Sequence, residues 1–224
     1  MSLPAARGIA GEEGVAYGLK NLDASIDDCI KVAVEAYNAK TALSPFGDEL
    51  RCRNRNLLQG YKTSRTNYPG IVRLGVEALR PRGVPTGHGE KIQTKLEGCP
   101  VPVIGFKDFS YDQHGLSIDL KCTARSRSEI YPDHKLQLSI YWLASQNQTQ
   151  QVAYVTPKET MIHELSTDEA RRCIAEATHI AKVLGDDLSR YETGEEFVRA
   201  QIPDKTSFRW HEAASEKAFQ IFGF

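Results

Sequence analysis

Asp108, Asp119 and Lys121 stand close together in the chain, in Gly105-Phe106-Lys107-Asp108 and Ile118-Asp119-Leu120-Lys121. Their types and spacing suit hydrolysis assisted by a hard divalent cation. Carboxylate oxygens are preferred ligands of such ions. An ammonium beside them adds positive charge where a phosphoryl group attacked by water becomes more negative. Gln137 and Tyr141, four residues apart, add an amide and a phenol that can aim at the same place.

The elements that must position these groups are legible as patterns. Leu116 to Cys122 alternates, so Ile118 and Leu120 share one face of a strand and Asp119 and Lys121 the other. Cys122 then points away from the two charged residues, into a core. Val101 to Phe109 reads as a second strand, and Tyr111 to Gly115 as the turn of an antiparallel hairpin that brings Asp108 to Asp119. Pro132 can open a helix running through Gln146, with Leu136, Ile140 and Leu143 as its apolar stripe and His134 one turn before Gln137. Each motif alone is common, since a chain of this length holds about one Asp-x-Lys by chance. Their order on strand, strand and helix is what carries weight.

Elsewhere the pattern predicts helices over 25–42 (capped by Ser25), 48–59 and 70–80, then a Pro- and Gly-rich break at 81–89. Strands are expected near 91–97, 101–109, 116–122, 151–156 and 160–165. A long helix capped by Thr167 should run to Leu188, with shorter ones at 193–200 and 211–221. This implies an α/β fold, a central mixed sheet flanked by helices. It forms a single domain over 1–224: a helical lobe at 1–89, the sheet and the Gln137 helix at 90–165, and C-terminal helices at 166–224.

Composition is that of an ordinary soluble globular chain: 224 residues, 41% hydrophobic and 25% charged. No apolar run reaches membrane-spanning length and the start lacks a signal-peptide core, so a cytoplasmic location and no membrane partner are expected. The five cysteines are odd in number and scattered, which suits reduced, mostly buried thiols, and the six histidines show no structural zinc spacing. Net charge is −1, yet Arg51 to Arg82 carries Arg51, Arg53, Arg55, Lys62, Arg65, Arg73, Arg80 and Arg82 against Glu77 alone. Tyr61 and Tyr68 are interleaved with them, a mixture suited to phosphate contact and base stacking. Arg125, Arg127 and Lys135 add positive charge nearer the carboxylates.

Gly105-Phe106-x-Asp108, then Asp119-x-Lys121, then Gln137-x-x-x-Tyr141, resembles the nuclease domain of RecB-like exonucleases in the PD-(D/E)xK superfamily. Small bacterial and phage members, related to CRISPR-associated adaptation nucleases, look most similar. Arg7-Gly8-x-x-x-Glu12 with Gly18-Leu19 resembles that family's first motif, and Pro203-Asp204, Phe208-x-Trp210 and Ile221-Phe222-Gly223-Phe224 its tail. In place of the Thr and Pro common after the Asp-x-Lys, this chain has Cys122 and Arg127.

The resemblance implies a Mg²⁺- or Mn²⁺-dependent DNA exonuclease acting on single strands or frayed ends in repair, recombination or phage DNA metabolism, in a bacterial cell or phage-infected host. It implies metal ligation by Asp108, Asp119, the Leu120 carbonyl and Glu12, with Glu13 as the competing neighbour, and water activation by Lys121. It implies that Gln137 and Tyr141 face the substrate; His134 in the preceding turn and the flanking Arg125 and Arg127 are expected, from position and charge, to join them on DNA. Some relatives hold an iron-sulfur cluster with an N-terminal cysteine and a C-terminal group of three; Cys173 stands alone in this chain's C-terminal part, so no cluster is expected. The alternatives are a structure-selective endonuclease and a lapsed DNA-binding subunit of a larger complex.

Overall fold

The computed structural model describes residues 3–42, 55–201 and 212–222, without the side chains of 3–4, 42, 55–65, 212–215 and 217. Arg51, Cys52, Arg53, most of the expected 48–59 helix, Pro203, Asp204, Phe208, Trp210, Gly223 and Phe224 lie outside the described residues. So do the side chains of Arg55, Tyr61, Lys62 and Arg65.

Described in chain order are α1 (Leu3–Lys20), α2 (Ile26–Ala42), α3 (Arg55–Leu79), β1 (Gly87–Thr94), β2 (Val103–Tyr111) and β3 (Leu116–Cys122). Then follow α4 (Pro132–Ala144), β4 (Thr149–Val155), β5 (Thr160–Glu164), α5 (Thr167–Leu188), α6 (Gly194–Ala200) and α7 (Glu212–Phe222). The fold is α/β. The five strands form one mixed sheet in the order β1-β2-β3-β4-β5, antiparallel throughout except for the parallel β3–β4 pair. A parallel pair needs a long crossover, and α4 supplies it. Two compact units are distinguished. The larger comprises residues 1–94 and 103–175; the smaller comprises 95–102 and 176–224.

In the larger unit α1, α2 and α3 pack on one another, and their apolar faces join Phe109, Tyr111, Ile118, Leu120 and Cys122 of the sheet in one buried core. The approach of α1 is close because it carries glycines where it touches its neighbours. A Cβ at Gly11 would stand 2.5 Å from Cys122 Sγ, and one at Gly14 would stand 2.8 Å from the Ala33 Cβ of α2. Glycine is unfavourable within a helix by roughly 1 kcal/mol against alanine, and this close packing offsets that deficit. The glycines hide the element from propensity, which is why no helix was expected over 3–20.

Three other expectations shift. Helix α3 runs through Pro69, lacking one backbone N–H there, and absorbs the predicted 70–80 helix. The 81–89 break is shorter than expected, because β1 already begins at Gly87. On α5 the cap is Ser166, not Thr167: the Ser166 hydroxyl accepts from the Glu169 N–H at 3.3 Å, and the Ser166 N–H donates to the Glu169 carboxylate at 3.4 Å. That is a capping box. The matching box at Ser25, closed by Asp28, starts α2.

In the smaller unit, Lys182 of α5 pairs with Glu97 at 3.0 Å, and Arg199 of α6 donates to the Ile221 carbonyl of α7 at 3.3 Å. Tyr191 and Phe197 meet edge to face, with centroids 5.7 Å apart. Among the described residues no helix is long and apolar enough to cross a membrane.

Candidate active site

The site forms where β2 and β3 part. Their ladder runs from Tyr111–Leu116 to Phe109–Ile118, and the next step would set Asp108 across from Asp119. Instead the Asp108 side chain takes over from the backbone: its Oδ2 accepts the Leu120 N–H at 2.7 Å. Leu120, whose carbonyl the resemblance implies as a ligand, is thus tied to Asp108 through its amide.

Asp119 is almost completely buried. Its Oδ2 lies 2.6 Å from Lys121 Nζ, and its Oδ1 accepts from Gln137 Nε2 at 3.0 Å. The Lys121 contact is short but poorly directed, so Oδ2 has an ion pair and no proper hydrogen bond. Gln137 Nε2 also donates to the Tyr141 hydroxyl at 2.7 Å, and that hydroxyl donates to the Phe106 carbonyl at 2.7 Å. Space for the Tyr141 ring exists because residue 105 is glycine: a Cβ there would lie 2.6 Å from Tyr141 Cε1. Gln137 and Tyr141 therefore brace Asp119 from α4. Leu138 and Tyr141 turn inward on this helix, whereas Leu136 of the expected stripe is exposed.

Glu12 comes from the middle of α1, since Gly11 presses that turn against Cys122. It is half-buried and its Oε1 lies 3.1 Å from His88 Nε2, while Glu13 is exposed. His88 is held on both sides: its Nδ1 meets Lys20 Nζ at 3.0 Å, and its ring stacks on Phe109 at 5.2 Å. Sequence reasoning missed His88. It is a lone histidine between two glycines in a stretch read as loop, and its only signal is that isolation.

The other expected DNA contacts are dispersed. His134 Nδ1 lies 2.7 Å from the Tyr154 hydroxyl, which also accepts the Tyr131 N–H at 3.0 Å. Arg125 and Arg127 are exposed, and Arg127 sits 5.1 Å above the Tyr131 ring. Lys135 pairs with Glu169 at 2.8 Å, tying α4 to α5. In the basic window, Arg80 donates to the Gly18 and Ala24 carbonyls and Arg82 to the Ala78 carbonyl and Gln151, so both stitch the fold. Tyr68 is a core residue rather than an exposed stacking ring.

No protein-family model and no curated protein matches the chain. Among solved structures, the crystal structure of SSO0001 is similar at 17% identity, over 77% of this chain and 84% of that one, with a TM-score of 0.35. So slight a likeness leaves the chemistry to be argued from the site itself.

The electrostatics are those of crowded carboxylates. Burial, then Asp119, then Glu12 push the Asp108 carboxyl up to about 8, against Lys121 and the Leu120 N–H. Burial alone would lower Lys121, but the Asp119 carboxylate, helped by Asp108, holds it above its ordinary value. The Cys122 thiol is pushed up to about 12, mainly by burial, and is inert core rather than a ligand. Among the described residues no three His, Cys, Asp or Glu side chains are grouped as a ready metal cage. Asp108 is turned to Leu120, Asp119 to Lys121 and Gln137, and Glu12 to His88. The donor chemistry nonetheless fits a hard divalent cation: the three groups are carboxylates, Asp119 Oδ2 lacks a directed donor, and Asp108 is raised by burial and then by the negative charge of Asp119 and Glu12.

Proposed function

We propose that this chain is a metal-dependent deoxyribonuclease of the RecB-like PD-(D/E)xK type, an exonuclease that hydrolyses phosphodiester bonds from single-stranded or frayed DNA ends. One observation carries the reading: Asp108 and Asp119 converge where β2 and β3 part, with Lys121 against Asp119 and the Asp108 carboxyl raised by burial and by its acidic neighbours.

Asp108, Asp119 and Glu12 would hold Mg²⁺ or Mn²⁺, which when bound lowers the pKa of a water and polarises the phosphoryl oxygen. The chain's own groups do the rest. Lys121, charged and half-buried, brings positive charge beside Asp119, where the attacked phosphate becomes more negative. Gln137 and Tyr141 fix the Asp119 carboxylate in one orientation, and His88 does the same for Glu12. Arg125 and Arg127, exposed on the segment between β3 and α4, are available to phosphates.

The test is degradation of end-labelled linear single-stranded DNA, beside linear duplex and closed circles, in Mg²⁺, Mn²⁺ or EDTA, by the intact protein and Lys121→Ala. Metal-dependent loss of linear DNA that disappears in the variant is expected, with the closed circle spared. Cleavage of closed circles would make it an endonuclease. DNA binding with no cleavage in any metal would leave a DNA-binding subunit.

A further inference from the structure

The ribbon of β1 and β2 presents a face that the chemistry above does not use. Lys91 is paired across from Phe106 and Gln93 across from Ile104, so these four side chains share one side of the ribbon. All are exposed, Phe106 at 56% and Ile104 at 50%. The other side, at Ile92 and Gly105, is closed by the Tyr141 ring, which is hydrogen-bonded through Gln137 to Asp119. Phe106 stands two residues from Asp108, about 7 Å along the strand. Between the His88–Phe109 and Glu90–Lys107 pairs the ladder leaves Gly89 and Asp108 unpaired, with Gly89 at φ +66 and open space where a Cβ would be.

We propose that this face is a docking platform for single-stranded DNA, leading over Gly89 to Asp108. The assignment rests on the nuclease reading above and names the part of the substrate that reaches the site. An aromatic ring standing into solvent stacks only on a base whose face is free, and a duplex interior offers none. Phe106 takes the base and Lys91 a phosphate. The acid beside Lys91 does not cancel its charge, because Glu90 is engaged by Lys107 at 3.7 Å and by the Ser110 hydroxyl. Gln93 and Ile104 extend the same mixture of polar and apolar contact by one residue pair.

The experiment is binding of a fluorescent oligothymidylate, followed by anisotropy in EDTA, with cleavage measured in parallel in Mg²⁺. The proteins are the intact chain, Phe106→Ala, Phe106→Trp and Lys91→Ala, all altered at exposed positions. Phe106→Ala should weaken the oligonucleotide about tenfold. Phe106→Trp should retain binding and show quenching of the new indole. Lys91→Ala should lower the salt dependence by about one counterion. Duplex binding should change in none of them. If the intact chain binds no single strand, or if Phe106→Ala binds as the intact chain does, the platform is overturned. Cleavage by the intact chain in that case leaves the nuclease reading standing. Binding that depends on Phe106 with no cleavage in any metal overturns the nuclease and keeps the platform.

Discussion

Glu12 of α1 and His88 of β1 lie 76 residues apart in sequence and meet at 3.1 Å. His88 is in turn fixed by Lys20 and by stacking on Phe109, so the orientation of the Glu12 carboxylate is set from the edge of the sheet. Partners of this kind tune metal affinity by about 10- to 100-fold. His88→Asn should therefore raise the Mg²⁺ concentration needed for half-maximal cleavage by roughly tenfold, with the rate at saturating metal little changed. An unchanged Mg²⁺ titration would remove Glu12 from the ligand set.

The Tyr141 hydroxyl links the Phe106 carbonyl to Gln137 and so to Asp119. Tyr141→Phe keeps the ring that fills the space at Gly105 and deletes only that link. A stability loss of about 1 kcal/mol is expected from urea unfolding, since two part-buried partners lose a hydrogen bond. Cleavage should fall by a larger factor than stability alone explains, because Asp119 loses its brace. Full activity in a protein with the expected stability loss would show that the brace serves only packing.

Burial, with Asp119 and Glu12, raises the folded Asp108 carboxyl from 3.8 to about 8. Between those values the folded protein holds a proton that the unfolded chain releases. Its contribution is therefore fully present below the unfolded pKa and is lost as pH rises through the folded one. In EDTA, the urea midpoint should be higher at about pH 5.5 than at about pH 8.5, and Asp108→Asn should flatten that difference. The same slope in the variant would place its origin elsewhere.

A Cβ at Gly11 meets Cys122 Sγ at 2.5 Å and Ile71 Cγ2 at 3.4 Å. Gly11→Ala should destabilise the larger unit by about 1–3 kcal/mol through overpacking. Adding Cys122→Ala removes the sulfur and should restore part of that loss, a coupling measurable as a double-mutant cycle. Strict additivity of the two changes would mean that α1 relaxes by another route.

Those same contacts explain what could and could not be read from sequence. Strand β3 is legible to the residue because Leu116, Ile118, Leu120 and Cys122 alternate with polar partners, and the alternation is enforced by a core on one side. Asp108, Asp119, Lys121, Gln137 and Tyr141 stand out by type, spacing and order on strand, strand and helix, and the fold brings all five together. Helix α1 was illegible because its packing depends on the absence of side chains at Gly11 and Gly14, which propensity reads as weakness. Tyr68 and Arg80 read as a nucleic-acid surface because a composition window does not say which side chains of α3 and the turn after it face inward. Tyr68 is core, and Arg80 donates to the Gly18 carbonyl near the end of α1 and to the Ala24 carbonyl. For His88 no local pattern exists; its meaning comes from a helix far away in sequence.

The dependence of Glu12 on β1 and of α1 on β3 also sets an order of assembly. Gly14 and Gly18 of the first helix can pack on α2 and α3 at once, whereas Gly11 meets its Cys122 partner only when the 116–122 strand has formed. Pairings this distant are the slow ones in folding. A chain halted before β3 holds Glu12 and Asp108 without Asp119. Catalytic competence and global cooperativity should then appear together, visible as coincident denaturation midpoints for cleavage and for circular dichroism of the larger unit.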